Sequence, residues 1–228
     1  MNSLLLQPVP TGDATARYER LSHGGATWYD LMPTPANAAD GGAFIPVPPA
    51  PAVANWPNFD GASWCSIGNP AKLDFAGAFT LCVWAYQDPA VPHQGTEFFI
   101  GKDGVGGRDA GLTSADNAND VKGFIFTPGY AAAQTAGSPP GVFYYIAFVN
   151  EGAAGDLKLY VDGDLKATNV GSGATELWSA APWEFGRDTT GAPQAELTGT
   201  LDTGRFYNRA LSPDEILRDY HAGKPAHP

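Results

Sequence analysis

The side chains that usually do covalent or acid–base work are few in this chain, and their spacing argues against catalysis. The four histidines, His23, His93, His221 and His227, fall in loop or terminal contexts, and no Gly-x-Ser-x-Gly turn offers a nucleophile for one of them to activate. They are expected to be solvated or to cap backbone groups. Glycoside hydrolysis from a strand needs carboxylates two residues apart, because alternate residues project into the same cleft. Glu184 in "PWEFGRD" and Asp202 in "GTLDTGRF" have no carboxylate two residues on. The glycine-rich "GKDGVGGRDAG" lacks the Gly-Lys-Ser/Thr ending of a phosphate loop and reads as a mobile loop. The chain is therefore expected not to be an enzyme.

Binding chemistry is better supplied. Aromatic rings stack on the apolar faces of sugars when amides and carboxylates flank them. The candidates for glycan binding are Trp178, in the turn-rich "GATELWSAAPW", with Trp183 and Tyr144. Trp84 and Tyr86 in "FTLCVWAY" also qualify by type, but Trp84 reads as core, since aromatics dominate cores. In "SADNAND" the oxygens of Asp116, Asn117, Asn119 and Asp120 suit a hard cation such as calcium, although their spacing is not that of an EF-hand, and an ordinary polar loop is the other reading.

Residues of this kind must be positioned by short strands. The chain has 228 residues with 28 Gly, 20 Pro and only 16% charged residues, a balance that favours many strands and tight turns over long helices. After an arm over residues 1–13, one domain is expected over 14–228, with a Pro-rich irregular segment at about 32–57 that runs along a surface or edge. Strands are expected at 14–21, 63–67, 79–86, 97–101, 123–127, 142–150, 157–161, 165–169, 182–186 and 197–207. The alternating "GDLKLYVDGDLKATNVG" is a hairpin. A three-residue loop of Val161, Asp162 and Gly163 would pair Leu159 with Leu165 and Leu157 with Ala167, keeping one face apolar. In "LSPDEILRDYHAGKP" Ser212 is an N-cap, Pro213 lies in the first turn, Glu215 closes a capping box and Gly223 marks the stop. Ile216, Leu217 and Tyr220 would dock this helix on a sheet. Cys65 and Cys82 are expected to be buried free thiols.

The order of "NFDGASWCSIGNPAKLDFAGAFTLCVWAY", "FFIGKDG", "YYIAFVNEGAAGDLKLYVDGDLKAT", "WEFGRD" and "LTGTLDTGRFYNRALSPDEI" resembles the laminin-G-like jelly roll of the concanavalin A-like lectin/glucanase superfamily. The resemblance spans Phe59 to Gly223. It implies an all-β fold, a two-sheet antiparallel jelly-roll sandwich with one short C-terminal helix. It also implies calcium near the final strand, where Asp202 matches the family's aspartate and Thr203 stands where a glutamate is more usual. The fold by itself does not name an activity.

The net charge of -11 opposes binding to nucleic acid phosphates and to anionic membrane surfaces. No apolar run is long enough to insert into a membrane, and the opening residues do not form a secretory signal. The expected role is a non-catalytic recognition or assembly module, extracellular or on a virion; the other readings are a purely structural virion protein with no glycan binding and a carbohydrate-active hydrolase. Its partner would be a glycan or another surface or virion protein, and the chain could be a homo-oligomer or part of a larger assembly. An initiating Met, the acidic balance and the Pro-rich segment fit a bacteriophage decoration or tail component.

Overall fold

The computed structural model describes residues 16–19, 27–30, 38–41, 58–62, 64–90, 95–104, 107–115, 120–126, 129–136, 140–175, 178–187 and 196–227. The expected arm at 1–13 lies outside them. The strands are β1 Ala16–Glu19, β2 Thr27–Asp30, β3 Ala38–Gly41, β4 Asn58–Asp60, β5 Trp64–Gly68, β6 Phe79–Gln87, β7 Phe98–Gly104 and β8 Gly107–Ser114. They continue as β9 Asp120–Ile125, β10 Ala131–Ala136, β11 Phe143–Asn150, β12 Leu157–Val161, β13 Asp164–Asn169, β14 Trp183–Phe185 and β15 Thr198–Tyr207, and the helix α1 spans Pro213–Gly223.

Neighbouring strands are antiparallel throughout. The first sheet runs β10-β9-β8-β7-β14-β5, and the second runs β15-β6-β11-β12-β13 with β4 beside the start of β15. The ladder passes from β5 through β3, β2 and β1 to β15, so the two sheets share one hydrogen-bonded seam. At the opposite seam β10 lies beside β13, where the Asn169 Nδ2 donates to the Ala132 carbonyl at 3.0 Å. The all-β sandwich expected from the sequence is thus the fold, with two refinements. The stretch "GKDGVGGRDAG", expected as a mobile loop, contributes to the paired strands β7 and β8. Part of the Pro-rich segment forms β3.

Inner residues of both sheets, such as Leu81, Phe148 and Leu159 against Ile100, Leu112 and Phe185, make the main core. The outer face of the second sheet carries another. There Cys82, Trp84, Tyr145, Ala147 and Tyr207 pack beneath Ile216 of α1. This double burial explains why β6 and β11 read as nearly continuous apolar runs. Leu217 borders the Gly163 turn of the β12–β13 hairpin and keeps part of its surface exposed. Beneath α1 the Tyr207 hydroxyl donates to Asp219 Oδ2 at 2.9 Å, and the Arg205 guanidinium approaches the same oxygen at 3.0 Å. Both cysteines are buried thiols outside any disulfide. Burial, with the nearby Asp219 carboxylate, pushes the Cys82 thiol up to about 12.

The β12–β13 hairpin differs from the expected register. Its turn is the two residues Asp162 and Gly163, at φ 54° and 84°, and Tyr160 faces Leu165. Asp162 tolerates the left-handed conformation because its carboxylate accepts from the Tyr145 N–H at 2.9 Å, while its own N–H donates to the Tyr145 carbonyl. A register shift beyond Tyr160 then pairs Leu159 with Ala167 and Leu157 with Asn169. The bulge, rather than a longer loop, keeps the apolar residues inward and leaves Leu165 outside.

Candidate ligand-binding surface

Two of the three expected stacking residues are core residues. Trp183 is 0% exposed and Tyr144 2% exposed, so no sugar ring reaches them. Inward-facing positions on β14 and β11 put them between the sheets. The Tyr144 hydroxyl donates to Gln87 Oε1 at 2.6 Å, and burial, helped by Glu97, holds its pKa well above the ordinary phenol value. Trp178 is half-buried at one end of the sandwich. Its Nε1–H donates to the Phe75 carbonyl at 2.8 Å, its ring meets Phe75 edge-on at 5.6 Å, and Lys102 Nζ lies 5.5 Å from its centre. It closes the core like a lid plate and leaves one flank to solvent.

The acidic candidates do not converge. Asp202 projects from the outer face of the second sheet, opposite Trp84, and its Oδ2 lies 2.9 Å from His227 Nε2. Asp120 belongs to the first sheet, where its Oδ2 accepts from Gln134 Nε2 at 3.1 Å. Asp116 lies outside the described residues. Calcium takes several oxygen ligands at once. Among the described residues no group of three Asp, Glu, His or Cys side chains could hold a metal ion, and the Asp202 carboxylate is already engaged by His227.

The outer face of the first sheet is better equipped. Its ladders place Ser66, Glu184, Gly101, Gly111, Phe124 and Ala132 in one row across the strands. The two glycines are needed there. A Cβ on Gly101 would strike the Phe98 ring, and one on Gly111 would strike Phe124, so their absence lets both rings lie down on the sheet. Towards β5, the Arg187 guanidinium sits 3.5 Å from the centre of the Trp64 ring while its Nε and Nη2 donate to Glu184 at 2.7 and 3.1 Å. Towards the β10 edge, Tyr130 stacks on Phe124 at 6.2 Å and meets Phe126 edge-on at 5.9 Å.

Tyr130 is 53% exposed and Phe126 37% exposed. Lys122, Gln134 and Asp120 stand beside them on the same face. Aromatic faces with a flanking amide, amine and carboxylate can hold a ligand that has an apolar face and polar edges. Sequence reasoning missed this pair. The signal was present in Phe126-Thr127-Pro128-Gly129-Tyr130, where aromatics stand on both shoulders of a Pro-Gly turn signal.

Residues 59–217 match the family described as the concanavalin A-like lectin/glucanases superfamily. No protein of curated function matches the chain. Among solved structures, the botulinum neurotoxin serotype C1 binding domain aligns with a TM-score of 0.71 at 10% identity, over 92% of this chain and 52% of that one. The chain thus spans about half the length of such toxin domains. The binding domain of botulinum neurotoxin DC, solved in complex with rat synaptotagmin II, aligns with a TM-score of 0.70 at 10% identity, over 92% of this chain and 52% of that one. Domain 4 of AbnA, an extracellular GH43 arabinanase from Geobacillus stearothermophilus solved with arabinotriose, aligns with a TM-score of 0.66 at 15% identity, over 91% of this chain and 98% of that one. At such identities the likeness is one of fold.

Proposed function

The chain belongs to the concanavalin A-like lectin/glucanase superfamily, and from that membership we propose that it is a non-catalytic binding module whose outer first sheet takes a glycan or a protein partner. The observation that carries this reading is the exposed Tyr130 and Phe126 pair beside Lys122, Gln134 and Asp120. Support comes from two neighbours of the same fold, one solved with arabinotriose and one with synaptotagmin II. Glu184 and Asp202, the two strand acids weighed for catalysis in the sequence, are each bonded to a basic side chain, Arg187 and His227, which suits structure better than acid–base turnover. An extracellular setting fits such a module, and among the described residues no helix is long and apolar enough to cross a membrane.

The test is a glycan array read with calcium and again with a chelator, followed by the variant Y130A. Binding of a defined glycan class by the native chain, weakened about tenfold (~1.4 kcal/mol) in Y130A with thermal stability unchanged, is the expected result. Equal affinity in Y130A would move the site off this face. Loss of binding with the chelator would restore calcium to the account. An array blank in both buffers would remove glycans and leave a protein partner, as in assembly on a virion.

A further inference from the structure

The outer face of the second sheet carries a different feature, independent of the surface just proposed. The sequence leads one to expect a solvated or capping His227, yet this residue is 6% exposed and its ring is held on every side. It lies on the Trp84 indole with centres 4.1 Å apart and planes 3° from parallel, and Phe143 stands beside it at 5.2 Å. Its Nδ1 is 2.8 Å from the Gly223 carbonyl and its Nε2 is 2.9 Å from Asp202 Oδ2. Both ring nitrogens therefore face oxygen acceptors.

A flat ring between an indole and a phenyl, with a carboxylate at one edge and a carbonyl at another, defines a slot for a planar cation with diverging N–H donors. The segment that brings the ring is slight: a 3-10 turn over Lys224–Ala226, with Lys224 and Pro225 exposed and the His227 N–H returned to the Lys224 carbonyl at 3.0 Å. The His227 ring makes the hydrogen bond that ties this turn to the sheet. The floor and wall of the slot belong instead to β6, β11 and β15, which stand on the core.

We propose that Trp84, Phe143 and Asp202 form a second binding site, for an arginine or histidine side chain of a peptide partner, and that His227 occupies it as a displaceable intramolecular ligand. The net charge of -11 favours the approach of a cationic segment. The competing His227 makes the apparent affinity for that segment depend on how often its ring leaves.

Methylguanidinium is the probe, titrated by NMR against the wild-type chain and against H227A and H227A/D202N, with the Trp84 indole resonance assigned through W84F. H227A is expected to bind the probe saturably, and both the wild type and H227A/D202N at least about tenfold more weakly. No saturable binding to H227A, or equal binding by all three, overturns the proposal. So does a preference of H227A for a neutral disaccharide over methylguanidinium, which would make the slot a sugar site. Should H227A not fold, H227F keeps a flat ring on Trp84 without the donors. Its ring is then expected to be displaced by methylguanidinium at a concentration about tenfold below that needed for wild type, and equal concentrations would overturn the idea.

Discussion

Asp219 shows what a single side chain does for this molecule. It is buried on α1, accepts from the Tyr207 hydroxyl and pairs with a buried Arg205 that has been taken out of water with it. Replacing the carboxylate by an amide strands the guanidinium. D219N is expected to lose about 3–5 kcal/mol of stability, read from urea midpoints with the denaturant slope unchanged; a loss below about 1 kcal/mol would mean that Arg205 finds water or another partner. At this scale the sequence was legible for the cysteines and poorly legible for the aromatics. Trp183 and Tyr130 both follow proline or glycine in turn-rich text, yet one is core and the other surface. What separates them is whether the opposite sheet passes over the position, and no local pattern records that. Trp84, which reads as core, is covered from outside by α1 and His227, residues far along the chain.

Helix α1 is the element most fully written in its own residues. Ser212 Oγ accepts from the Glu215 N–H at 3.4 Å, and the Glu215 carboxylate accepts in return from the Ser212 N–H at 2.8 Å and from the Arg209 guanidinium at 2.7 Å. The Arg209 bonds, ahead of those from Ser212, hold the Glu215 carboxyl at about 2, against 4.5 for the free group. A carboxylate whose folded value is depressed stabilises the fold above its unfolded value, and that contribution drains away as pH falls from about 4.5 towards 2. E215Q is therefore expected to be less stable than the native chain at neutral pH, with the difference vanishing near the acid end of that window. Thermal melts of both chains across the range measure it, and a constant difference would place the effect elsewhere. Strands were legible where alternation is clean, as in Leu157–Val161. They were hidden where glycine replaces the outward side chain, as in β8, because Gly107 and Gly111 look like turn punctuation although Gly111 serves as floor for Phe124. The hairpin register misled for a related reason: the bulge that restores Leu159 to Ala167 leaves no mark in the residue types.

At the scale of the whole molecule, the main core is filled from both sheets and one ladder of hydrogen bonds runs through β3, β2 and β1 between them. The inner faces of both sheets lose their apolar cover if the two part. Unfolding in urea is expected to follow one transition, with near-ultraviolet and far-ultraviolet circular dichroism coinciding; an earlier loss of the aromatic signal would show that the sheets part before they melt. The seams have another consequence. Where β5 might have ended the first sheet, β3 continues it into the second, and where β10 and β13 end the path they lie against each other with Asn169 clasping Ala132. An extended peptide arriving at β10 or β13 meets the neighbouring strand already beside it, which hinders edge-to-edge polymerisation there. Recognition by an added strand, a common way for sheets to capture peptides, is hindered at this seam, which leaves the side chains on the faces as the readier surface.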